Sequence, residues 1–277
     1  MTRFYTESNC ANLLTFALYR QVHRQNCFLA DYMKLIEQFG KYILLIISVF
    51  SKPEKRKVYI KEILREMVSV GIGSLGIVCI ISIFFGMVSA VQTAAQLLNA
   101  FIPHTVIGSI TRDTSILEFC PTVTCLVLAG RVGSSISSEI GTMRITEQID
   151  ALEIMGINSS GYLILPKIVA CITMIPLLIC ISMVLSIGGG MLAGVLGHLV
   201  TQQEYIQGIT NGFIPRYVFI GLGKAFVYGF IISSVCAFQG FYTSGGSLEV
   251  GQASTRGLVY SCVAILFFDY IIAQLFI

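Results

Sequence analysis

Long apolar runs separated by short polar segments organise the chain. Five runs can cross a hydrocarbon core of about 30 Å at 1.5 Å per residue. They are Val68 to Val91, Thr114 to Ser137, Leu165 to Leu196, Tyr217 to Gly240, and Gly257 to Phe276. The third is the longest, and tilt or a kink at Pro166 or Pro176 would absorb its excess. The pattern predicts an all-α integral membrane protein. Ahead of the spans, Met33 to Phe50 is apolar with scattered charge, and its run from Gly40 is too short to cross. It reads as an interfacial helix. The following SKPEKRK supplies a turn at Pro53 and a basic cluster that would face headgroups. Residues 1–32 are polar, weakly periodic and without a signal-peptide pattern. They are expected to be a disordered extension, or a stretch ahead of a true start at Met33. The expected organisation is an extension at 1–32, an interfacial helix with basic linker at 33–66, and a five-span domain at 67–277.

One polar segment between two spans stands out: Leu128 to Gly156, LAGRVGSSISSEIGTMRITEQIDALEIMG. Glu147, Asp150 and Glu153 recur every three residues and would form an acidic stripe on a helix. Ile145, Ile149 and Leu152 would form an apolar stripe on the same helix, with Arg144 at its start. Such a helix suits docking into a groove on a soluble partner. The alternative is an amphipathic helix resting on the membrane. The acidic face favours docking, because anionic headgroups would repel it.

Composition agrees with the spans. Mean hydropathy is +0.80. Of the residues, 55% are hydrophobic and 12% charged, against about a quarter charged in a soluble domain. The cations set an orientation. With the N-terminus inside, 15 of the 18 Lys and Arg fall on the inner side, Arg112 and Arg216 on the outer side, and Lys224 within a span. The C-terminus would then lie outside. The net charge of +3 reflects this topology and gives no sign of nucleic-acid binding.

The nine cysteines form no CxxC pair, and seven of them lie in apolar spans. His23, His104 and His198 are far apart in sequence, so no metal site is expected. No nucleophile elbow, zinc-protease motif or phosphate loop is present; no catalytic residue or cofactor is assigned. Any ATP must be bound by another chain. Glycines mark expected packing surfaces, chiefly Gly188, Gly190 and Gly194.

Prominent among the ionisable residues within the spans are Glu118, Lys224 and Asp269. On the topology above, Lys224 lies about 10 Å and Asp269 about 12 Å below the outer surface, with Glu118 shallower. Charges there cost several kcal/mol unless paired or hydrated. They form either a structural brace or the wall of a hydrated cavity able to hold a polar headgroup.

The long polar segment resembles the signature of MlaE-type permeases, the membrane subunits of lipid ABC transporters linked to MCE proteins. The similarity runs from about Met33 to the C-terminus. It includes KPEKRK, FFGMVSAVQ at Phe84 to Gln92, LEFCP at Leu117 to Pro121, GKAFVYGF at Gly223 to Phe230, and ASTRGLVYSCVAILFFD at Ala253 to Asp269. The resemblance implies a homodimer in the bacterial inner membrane. It also implies a cytoplasmic ATPase dimer gripping the loop helix, an MCE-domain protein on the periplasmic side, and membrane lipid as substrate. Glu118, Lys224 and Asp269 match charged positions of the family. The family often has Arg-Glu-Leu-Gly-Pro where this chain has Leu117-Glu118-Phe119-Cys120-Pro121, so its Arg and Gly are absent here. Other readings are an ABC importer for a small solute, a stand-alone secondary transporter, and a non-transporting scaffold. A secondary transporter would show internal repeats, and no convincing repeat is found. A scaffold would need neither Lys224 nor Asp269.

Overall fold

A computed structural model describes residues 36–49, 56–97 and 103–276. The expectations for residues 1–32 and for the turn at Pro53 lie outside the described residues; of the basic cluster at 51–57, Arg56 and Lys57 are described and begin a helix. The chain divides into two units between residues 48 and 49. In the first, α1 (36–49) exposes Ile36, Phe39, Leu44 and Ile47 and ties Lys41 to Glu37 at 2.7 Å. Its length of about 21 Å is too short to cross a bilayer.

The second unit is built from helices, with no strand among the described residues. The first span is α2 (Arg56–Gln96). The second is a continuous helical rod, Thr105–Ile145, made of α3 (Thr105–Thr114), a π-helical segment (Ser115–Val123), α4 (Thr124–Leu128), a second π-helical segment (Ala129–Gly133) and α5 (Ser134–Ile145). Short α6 (Gln148–Ile154) follows. The remaining spans are α7 (Ser159–Leu196), α9 (Pro215–Phe241) and α10 (Ser247–Phe276), with α8 (Gln202–Thr210) between α7 and α9.

All five expected spans lie on helices, but most of the helices run well past their apolar segments. Hydropathy marks only what the hydrocarbon needs. A helix continues while its backbone hydrogen bonds are made and no breaker intervenes. Residues 105–113 contain no proline, so α3 extends the second span by nine residues. Pro166 and Pro176 both sit inside α7 without ending it.

α2 packs along α7, its most extensive partner, while α9 lies against α5, α7 and α10. The α2–α7 crossing is close because glycine faces backbone. A Cβ on Gly86 would overlap the Ser186 carbonyl, and one on Gly189 would overlap that of Ile83. At the end of the bundle opposite α6, α3 and α8 meet through Gly108 and Gly208 in the same way. Arg112, 2% exposed, fastens that contact. Its guanidinium donates to the carbonyls of Ile209 (2.6 Å) and Asn211 (3.1 Å), where α8 leaves carbonyls unpaired. α8 starts in a capping box. Thr201 Oγ1 accepts from Glu204 N–H, and the Glu204 carboxylate accepts from Thr201 N–H at 3.0 Å.

Candidate functional site

Lys224, Glu118 and Asp269 come together from three helices. Lys224 is 1% exposed on α9. Its ammonium donates to Asp269 Oδ1 (2.7 Å), Glu118 Oε1 (3.0 Å) and the Leu117 carbonyl (3.1 Å). Three acceptors meet three N–H donors, so the cation is saturated. The opening of the Leu117 carbonyl to Lys224 has a local cause. The carbonyl's usual α-helical donor would be the N–H four residues on, and that residue is Pro121, which has none. Both Glu118 and Pro121 lie in the first π-helical segment, the wide-turn geometry that accommodates such a break.

The carboxylates are held unequally. Asp269 also accepts from Tyr228 Oη (2.8 Å) and Thr122 Oγ1 (3.1 Å), and its side chain is 15% exposed. Glu118 accepts from Lys224 alone in the cluster, and 46% of its side chain is exposed. One cation against two anions leaves the cluster with a formal charge of −1, open at Glu118. The expected brace used one carboxylate and left the other over; here one ammonium engages both. Sequence reasoning missed Tyr228 and Thr122. Each lies one turn beyond a charged residue (224/228 and 118/122), so the signal was a polar i, i+4 pair on an apolar span.

The loop helix differs from expectation. Ile145 closes α5, and the chain then turns at Glu147, whose φ of 59° is left-handed. Ile145 therefore does not share a helix with Ile149 and Leu152. Glu147 is the N-cap of α6 and not part of a longer acidic stripe. Asp150 accepts from Arg144 Nη1 at 2.5 Å, and Glu153 from Ser159 Oγ at 2.7 Å. Ile149 is fully buried within this chain and Leu152 half-buried, so the apolar stripe faces inward. The exposed apolar residues are Ile154, at 88%, and Met155, which precede a turn at Gly156.

Of the three packing glycines, Gly190 lies close to Thr111 and the Gly86 carbonyl, and Gly194 just reaches Tyr205. Gly188 faces open space, because a step of about 100° per residue turns it away from the face that Gly189 presents to α2.

A second charged cluster lies toward the α6 end. Lys167, buried on α7, donates to Glu66 Oε1 of α2 (2.7 Å) and Glu139 Oε2 of α5 (2.6 Å).

A bundle of five apolar helices with ion pairs closed inside it defines a multi-pass membrane protein. A family model described as Permease MlaE matches residues 63–275. A probable ABC transporter permease protein of Rickettsia bellii is 34% identical over 244 residues, covering 88% of this chain and 94% of its own. One of Synechocystis is 33% identical over 215 residues (78% and 81%), and one of Pyropia yezoensis 28% over 243 residues (88% and 92%). The chain belongs to the MlaE permease family, as an ABC transporter permease.

Proposed function

We propose that this permease moves phospholipid or a related lipid between the inner membrane and the periplasmic side. It acts as a homodimer with a separate cytoplasmic ATPase dimer and a periplasmic MCE-domain partner. The N-terminus and α6 lie on the cytoplasmic side and the C-terminus on the periplasmic side, a reading that the distribution of cations supports. The observation that carries the reading is the saturated Lys224 ammonium shared between a firmly held Asp269 and a loosely held, half-exposed Glu118. A lipid phosphate is an anion of the same class as Glu118 and can exchange with it on the ammonium, while Asp269 keeps the cation in place. Hydrocarbon around the site accommodates the acyl chains. A small-solute importer gains nothing from placing its charge against lipid.

α6 is the element that engages the ATPase. Ile154 and Met155 supply the apolar contact and Glu147 the exposed acid, while Ile149 and the Arg144–Asp150 pair hold α6 to the rest of the permease. ATP-driven closure of the ATPase pair moves α6 and, through α5, the second span. The test is reconstitution of the complex in liposomes containing radiolabelled phospholipid. ATP-dependent transfer of label to the MCE partner is expected, with loss of transfer but retained ATPase binding in Lys224→Ala. ATP-dependent uptake of a water-soluble solute with no lipid transfer would overturn the reading.

A further inference from the structure

A cleft of about 130 Å³ opens toward the α6 end, lined by Glu66, Ser69, Arg131, Ser135 and Glu139 among others. Counted from the middles of their helices, Glu66 and Lys167 lie about 15 Å toward that end and Arg131 about 9 Å. Half a hydrocarbon core is about 15 Å, so the cleft sits where acyl chains give way to headgroups. Lys167 is committed to Glu66 and Glu139. The remaining cation is Arg131, which is exposed. Among the described residues its guanidinium makes one hydrogen bond, from Nη1 to Ser74 Oγ at 2.7 Å. Both Nη atoms lie against α2 at Gly73, where a Cβ would come within 2.9 Å of each. Glycine therefore leaves room for the guanidinium.

An exposed guanidinium at this depth, with most of its five N–H donors unengaged by protein, is costly in hydrocarbon. A planar fork of N–H donors matches the paired oxygens of a phosphate. Ser69 and Ser135 add hydroxyl donors in the lining of the cleft, and Lys167 offsets one of the two neighbouring carboxylates. We propose that this cleft binds the phosphate of a phospholipid headgroup from the leaflet at the α6 end, on Arg131. It is a second lipid site, on the opposite half of the bundle from Lys224. The inference rests on the lipid reading above for its role in transport.

The test places a benzoylphenylalanine photo-crosslinker at Ser135, beside the cleft, or at Leu266, one turn from Asp269. The full complex is irradiated in nanodiscs of 32P-labelled phosphatidylethanolamine and phosphatidylglycerol. Label at Ser135 is expected to fall about tenfold in Arg131→Gln, the factor that one charge-assisted hydrogen bond of about 1.5 kcal/mol carries. Gly73→Leu, which keeps the charge but fills its cradle, should lower it too, and Arg131→Lys should label above Arg131→Gln. If Arg131→Gln fails to assemble, Gly73→Leu decides. Label at Ser135 unaffected by both variants overturns the site as mere lipid contact. So does Arg131-dependent binding of [32P]orthophosphate, measured on the complex in unlabelled nanodiscs without irradiation, when no lipid label enters at Ser135. Label at Leu266 alone overturns this site and leaves the lipid reading standing. Label at Ser135 alone supports this site and overturns the reading of Lys224. Label at neither overturns both.

Discussion

Lys224→Met separates a brace from a substrate site. The substitution removes the one cation of the cluster and leaves two carboxylates facing each other across α9. Breaking a buried ion pair by removing one partner costs about 3–5 kcal/mol. Asp269 keeps its bonds from Tyr228 and Thr122, which places the expected loss near the low end, about 3 kcal/mol. Glu118 adds little, because exposed pairs contribute only about 0–1 kcal/mol. Lys224→Met with Asp269→Leu removes both buried charges. What remains are the Tyr228 and Thr122 hydroxyls that had donated to Asp269, with a cost of about 1–3 kcal/mol for an unpartnered group. Denaturant titration of the purified complex measures stability, and ATP-dependent lipid transfer measures function. The double variant should regain part of the lost stability but not transport, because no cation is left for the phosphate. If the double variant transports like the unaltered protein, the cluster is a brace and the substrate site lies elsewhere. If Lys224→Met alone costs under about 1 kcal/mol, the energetic argument itself fails.

Ile149→Ala should destabilise the permease by about 2–5 kcal/mol, since the side chain is fully buried. Ile154→Ser should leave stability unchanged and reduce co-purification of the ATPase; the reverse pattern would place the docking face on the expected inward stripe. Arg112→Ala should free the α8 end, read as faster amide hydrogen exchange over 202–212 with the spans unchanged. The Glu204 carboxyl is held below its ordinary range by the Thr201 hydroxyl and then by the Thr201 backbone N–H. Its folded pKa is therefore depressed, and the capping contribution is present above the unfolded value and lost as pH falls through the folded one. Thr201→Ala should move the Glu204 titration, followed by carboxyl 13C shifts, back up toward the ordinary range.

The number and order of the spans were legible because a bilayer imposes a coarse rule that hydropathy reads directly. The charged residues within them were legible for the same reason, since an ionisable group among apolar residues is conspicuous. That Lys224 would hold both carboxylates was not, because it depends on how α9, α10 and the second span are rotated against one another. The loop helix failed for a local reason. Periodicity alone carried the pattern from Ile145 through Glu153, whereas the chain breaks it with one left-handed residue, Glu147, that has no glycine to announce it. Among the glycines, run length did not say which face is turned inward, and Gly188 and Gly189 fall on opposite sides of that question. The α3–α8 contact combines a small apolar patch, Ile107 against Tyr205, with a buried arginine on backbone carbonyls, and nothing in the sequence marks that arginine as buried.

The two charged clusters share a construction: a buried lysine holds two carboxylates and joins three helices, one cluster in each half of the bundle. Of the described helices, the second span alone contributes to both, through Glu118 at one level and Glu139 at the other, with Arg131 between them. The same rod ends at the turn into α6. Its two π-helical segments, Ser115–Val123 and Ala129–Gly133, underlie Glu118 and Arg131 respectively. A π turn is less favourable than an α turn and persists where surrounding contacts hold it. On the proposed coupling, a push on α6 along this rod reaches Glu118 at one level and Arg131 at the other. Movement there need not break an apolar interface. It needs only a change in how a single helix winds, at the two places where the winding is already irregular.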